Sequence, residues 1–98
     1  MNLTFDIDRV VAVERHLGFK LSDIVKEAES ETGLALGTLR ALLAAGSVPT
    51  FLARLGIIAP PDFERANLMI EKHGLAACAS AVGKALGAFL VRINRETT

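Results

Sequence analysis

The run from Leu75 to Ile93, LAACASAVGKALGAFLVRI, constrains this chain more than any other stretch. Only Ser80, Lys84 and Arg92 are plainly polar within it. Leu75, Cys78, Val82, Leu86, Phe89 and Ile93 recur at steps of three or four, which puts them on one face of a helix. A second face carries Ala76, Ser80, Gly83 and Gly87, small enough to let another backbone approach closely. Such a helix cannot stand alone in water and needs partners on two sides. A chain of 98 residues has few helices to offer. The pattern points to a small helical protein whose work is holding other polypeptides.

The length of this run also suits a membrane span, and Gly83-x-x-x-Gly87 is a small-xxx-small spacing. Lys84, near its middle, argues against that. A charge there costs roughly 2.5–3.5 kcal/mol on insertion scales, and the alanines and glycines around it offset little. A helix that is buried or faces a second subunit is the better account, and no membrane partner is expected.

A chain of this length makes a single domain with one modest core. Hydrophobic residues form 51% of it, which excludes a disordered tail. Eleven basic residues balance eleven acidic ones, so net charge gives no argument for nucleic acid or acidic lipid. The distribution is uneven. Acids outnumber bases in residues 1–31, whereas 32–61 hold only Arg40 and Arg54, and 72–95 only Lys72, Lys84, Arg92 and Arg95. That asymmetry fits either complementary halves of one fold or steered self-association. The start, MNLTFDIDR, has acids where a secretory signal carries bases, and a cytoplasmic setting is expected.

Glycine and proline punctuate the helical segments. Asp6 or Asp8 caps a first helix running to Gly18, with Val10, Val13 and Leu17 inward. Leu21 to about Glu31 reads as a second helix with Ile24, Val25 and Ala28 inward and Lys26, Glu27, Glu29 and Glu31 outward. Leu36 to Ala45 is a third, carrying Leu36, Leu39, Leu42 and Leu43, with Gly46 as its stop. Ser47 then caps a short turn through Phe51, Leu52 and Leu55 to Gly56, and residues 57–61 form an extended connector. Pro61-Asp62 opens the next helix, with Phe63, Ala66, Leu68, Met69 and Ile70 inward and Gly74 at its end, before the long last helix. Only Leu3 to Ile7 alternates like a strand, so it is a short strand or an arm lying across a neighbour. The fold class expected is all-α, a single-domain bundle of five or six short helices over residues 1–98 with a short extended N-terminal arm.

The residues of chemistry are sparse. His16 and His73 each precede a helix-ending glycine, where a cation suits the helix dipole, and neither has an acid on its own face. Cys78 is the only cysteine, so no disulfide framework and no zinc cluster forms. Gly-x-Ser-x-Gly and phosphate-cradling glycine loops are absent. No catalytic residue, metal ligand or cofactor is expected, and the chain reads as a non-enzyme. LSDIVKEAESETGLALGTLRALLAAGSVP scans as a helix-turn-helix, the alternative function being a small DNA-binding regulator. Its reading helix offers only Thr38 and Arg40 to base edges, and residues 21–31 are net acidic, so nucleic acid is disfavoured.

Read in order, LTFDIDRVVAVERHLGFKLSDIV, LRALLAAG, PPDFERANLMIEKHG and LAACASAVGKALGAFL resemble the small tail assembly chaperones of long-tailed phages and gene transfer agents. The nearest to a diagnostic is Val13-Glu14 with Gly18, followed by Leu42-Leu43-x-x-Gly46. The resemblance spans Leu3 to Leu90. It implies a cytoplasmic, non-enzymatic protein of virion assembly that binds the tape measure protein, keeps its apolar helices from aggregating and assists the tail tube protein. The residues expected to carry protein binding are Leu39, Leu42 and Leu43 as one apolar ridge, and Gly83, Gly87 and Leu90 as a packing face. A homo-oligomer associating through the small face of the last helix is expected.

Overall fold

The computed structural model describes residues 2–18, 20–30, 33–48 and 58–97. Five helices lie among them: α1 (Ile7–Leu17), α2 (Leu21–Glu29), α3 (Leu36–Ser47), α4 (Pro60–His73) and α5 (Leu75–Thr97). The protein is all-α, as its periodicity requires. The expected turn around Phe51 to Gly56 lies outside the described residues.

Helix α3 is the centre, packed against α1, α4 and α5. Its side chains at Leu39, Ala41, Leu42, Leu43, Ala44 and Ala45 are all buried. They join Val10 and Val13 of α1, Ile24 of α2, Ala66 of α4, and Cys78, Val82, Leu86 and Phe89 of α5 in one core. Ile24 is fully buried and is the side chain by which α2 enters that core. The outward positions differ in places from the sequence pattern. Leu36, Leu68 and Leu75 are more than half exposed, and Ala28 is exposed. Leu36 and Leu75 are the first residues of their helices, and Ala28 lies one residue from the end of α2.

Acidic side chains close the helix starts. Asp6 accepts a hydrogen bond from the Arg9 amide at 2.9 Å and caps α1. Glu14 of α1 accepts from the Leu21 amide at 2.7 Å, the first residue of α2. Glu27 of α2 in turn accepts from the Ala35 amide at 2.6 Å, ahead of α3. Each carboxylate satisfies an amide that has no partner within its own helix, where negative charge also suits the dipole. The acidic run at 27–31 is therefore not simply a solvated face, because Glu27 joins α2 to α3. Gly18, at φ 77°, ends α1 with a left-handed turn that L side chains rarely adopt.

Among the described residues the N-terminal segment forms no strand. It folds back onto its own chain. The Thr4 amide donates to the Gly46 carbonyl at 3.0 Å, Phe5 is buried, and Arg92 of α5 donates to the Phe5 carbonyl at 2.7 Å. Ile7 leaves the alternation and is 62% exposed, because α1 has already begun there. Gly46, expected as a helix stop, instead lies within α3. A Cβ there would stand 3.1 Å from Phe5 Cζ and 3.3 Å from Leu3 Cδ2, so the absent side chain is the seat of the arm. Ser47 is likewise the last residue of α3 and accepts a hydrogen bond from Arg65 Nε at 3.1 Å.

Arg9 completes this end of the molecule. It is 4% exposed, and its Nη1 donates to the carbonyls of Ala45 at 3.1 Å and Gly46 at 3.2 Å, while Nε pairs with Asp6 at 3.3 Å. The last carbonyls of a helix lack intrahelical donors and carry partial negative charge, so a buried guanidinium there is satisfied on both counts.

Candidate protein-binding surface

The residues expected to bind a partner divide into two groups. Leu39, Leu42 and Leu43 are buried at 2%, 1% and 0% exposure and form the middle of the core. They cannot present a ridge to another protein while the fold is intact, which corrects that expectation. The reason is position. From Leu39 onward α3 is enclosed by the arm, α1, α4 and α5, so these three leucines have no free side.

Gly83 and Gly87 stand differently. A Cβ at either would meet nothing within 4 Å. Ala76, Ser80 and Gly83 are exposed and Gly87 is half-buried, so the small-residue face of α5 lies open. Leu90 borders it, half-buried against the core. The opposite stripe of α5 is covered as its periodicity requires: Cys78, Val82, Leu86 and Phe89 are buried and Ile93 packs against them. Over Leu75–Asn94 the helix has a mean hydropathy of 1.5, yet only 22% of that apolar stretch is buried. It is long and apolar enough to cross a membrane. Four of its side chains, however, already belong to the core shared with α3.

The open side has shape as well as composition. Leu3 of the arm and His73 at the end of α4 flank Ala77, Ser80, Ala81, Lys84 and Ala85 around a groove of about 620 Å³. The floor is small side chains, so a second helix can approach α5 closely. Lys84 is exposed and has no ion-pair partner among the described residues. Sequence reasoning missed the part played by Leu3, because only tertiary packing brings the arm beside α5. The seat at Gly46 is the signal that would have found it.

Among the described residues no group of three or more His, Cys, Asp or Glu side chains is placed to hold a metal. His16 packs its ring on Phe63 at a centroid distance of 4.6 Å, and His73 closes the last turn of α4. Burial pushes the Cys78 thiol up from its ordinary range, and its Sγ donates to the Met69 carbonyl at 3.5 Å. That is the environment of an inert structural cysteine rather than a nucleophile.

No family model matches the chain, and no curated protein or solved structure matches it either. The surface must be read from its own geometry. For a helix-turn-helix reading that geometry is unfavourable. Thr38 is 4% exposed, and Arg40 stacks on Phe63 at 5.0 Å with Nε enclosed. Of the two side chains available for base readout, Thr38 is thus buried and Arg40 is held half-buried against Phe63.

Proposed function

We propose that this protein is a non-enzymatic adaptor that covers an apolar helix of another protein along the open side of α5. The observation that carries the reading is the contrast within α5. One stripe is sealed in the core, while an apolar, small-residue face lies beside a groove that none of the described residues fills. A helix laid into a groove of small side chains gains close contact along its length and removes apolar surface from water. Lys84 on the same side favours a partner helix that carries an acid among its apolar residues.

The role fits that of a tail assembly chaperone, as the order of sequence features suggests. A tape measure protein is long, helical and apolar, and needs its helices covered until the tail tube protein surrounds it. In that setting the protein works in the cytoplasm of a cell producing phage or gene transfer agent particles.

The test is co-expression with the long helical protein encoded beside it, followed by size-exclusion chromatography with light scattering. Ala77→Glu and Gly83→Glu place a charge on the open side at exposed positions. Both variants are expected to keep their helical signal and lose the complex. A complex that survives both substitutions overturns the assignment of this surface. If the neighbour stays insoluble with the native chain, and the chain instead floats with neutral lipid vesicles, the exposed helix serves a bilayer and the adaptor reading fails.

A further inference from the structure

A second groove, of about 430 Å³, lies away from the α5 surface, between the first turns of α3 and the later part of α4. Leu36, Gly37, Arg40, Asn67, Ile70 and Glu71 line it. Arg40 is its unusual member. Its guanidinium carbon lies 5.0 Å from the centroid of the Phe63 ring, and its Nε is enclosed with no hydrogen-bond acceptor. It is the one buried side-chain polar atom among the described residues in that condition. Enclosed donors without partners are rare in folded proteins, and a partly desolvated guanidinium gains most from a carboxylate at its open edge. Glu71 lines the same groove, exposed, yet no ion pair within 4 Å joins it to Arg40. Stacked on Phe63, Arg40 does not pair with the Glu71 of its own chain. Leu36, 59% exposed, and half-buried Ile70 supply apolar contact on the same lining.

We propose that this groove is a two-fold interface between copies of the chain, pairing Arg40 of each copy with Glu71 of the other. The pattern is self-complementary. A two-fold axis through the groove exchanges its α3 side with its α4 side, so each charge meets its opposite and Leu36 meets Ile70. A partner of a single charge sign would satisfy one of the two groups and repel the other. The groove shares no lining residue with the one along α5, so a dimer formed here would present two helix-binding surfaces at once. The proposal does not depend on the adaptor reading, since its test needs no second protein.

Charge reversal in mixtures decides it. Arg40→Glu and Glu71→Arg are made separately, checked for helicity by circular dichroism, and followed by sedimentation equilibrium alone and together. Each variant alone is expected to dimerise at least about tenfold more weakly than the native chain. Their equimolar mixture restores both pairs and is expected to associate within about threefold of the native affinity. A native chain that is monomeric at about 1 mM overturns the proposal. So does a dimer unaffected by either reversal, or a mixture no stronger than its components. If Arg40→Glu does not fold, exposed Glu71 carries the test. Glu71→Arg must then abolish the dimer and Glu71→Gln weaken it by a smaller factor, and an unchanged dimer overturns the proposal.

Discussion

Helices α3 and α5 are written in nearly the same alphabet of Leu, Ala and Gly, and the fold uses them in opposite ways. Every residue of α3 from Thr38 to Gly46 is buried except Arg40, whereas α5 buries one stripe and leaves the rest open. Their glycines record the difference. At Gly46 the arm fills the space a side chain would occupy, while at Gly83 and Gly87 that space is empty. A small residue therefore marks a close approach only when a neighbour has taken it up. In α3 the neighbour is part of the chain, and in α5 it is proposed to be another protein.

The comparison breaks most sharply at the leucines. Leu42→Ala is expected to destabilise the protein by about 3–4 kcal/mol, because α3 is enclosed and cannot collapse onto the cavity. Leu75→Ala, on the exposed start of α5, should stay within about 0.5 kcal/mol of the native chain. Urea unfolding followed by circular dichroism measures both, and similar losses at the two positions would erase the contrast. Arg9→Met comes next, at about 2–3 kcal/mol, because it strips buried carbonyls of their donor at the end of α3. The same unfolding midpoints report it.

The glycines supply a difference of sign. Gly46→Ala forces Phe5 and Leu3 to move, and that overpacking outweighs the gain in helix propensity, for a net loss of about 1 kcal/mol. Gly83→Ala and Gly87→Ala meet nothing, so each should gain about 0.5–1 kcal/mol from propensity alone. If these two variants are more stable yet bind the partner less well, the small residues serve the interface rather than the fold. Losses at all three positions would mean that α5 is as closely packed as α3.

The smallest effect concerns Cys78, on the covered stripe. Its thiol is pushed up by burial, so folding favours the neutral form. This contribution is constant below the ordinary thiol range. It turns against the folded state as pH rises through that range towards the raised value, because the unfolded chain ionises first. Stability of the native chain relative to Cys78→Ala should accordingly be flat near neutrality and fall at alkaline pH. An unchanged difference between the two proteins at neutral and alkaline pH would place the thiol in contact with water.

How far the sequence could be read follows the same division. Periodicity located the helices, and it put Val10, Val13, Ile24, Val82 and Phe89 inside, because burial on one face is a local signal. It could not tell an enclosed helix from a half-covered one, since Leu39, Leu42 and Leu43 look alike whether they face a core or a partner. It also mistook Gly46 for a stop and Glu27 for a solvated acid. Both are explained by contacts between elements distant in the chain or across a connector, which no local pattern encodes. Of the candidate surface, Gly83 and Gly87 were legible as small positions, whereas the contribution of Leu3 depends on where the arm lies.

The bond from Arg92 to the carbonyl of Phe5 spans a separation of 87 residues. Its two ends are made at opposite times during synthesis. Helices α1 to α3 can form their acid-capped starts soon after leaving the ribosome, because those contacts are close in sequence. The arm cannot be clasped from both sides until Arg92 has emerged. Until then the side chains of α3 that later face α5 are exposed to the crowded cell, and the nascent chain is itself a polypeptide whose apolar surface lacks a cover. A protein proposed to guard the helices of others thus passes through a vulnerable interval of its own, and that interval ends only when its last helix arrives.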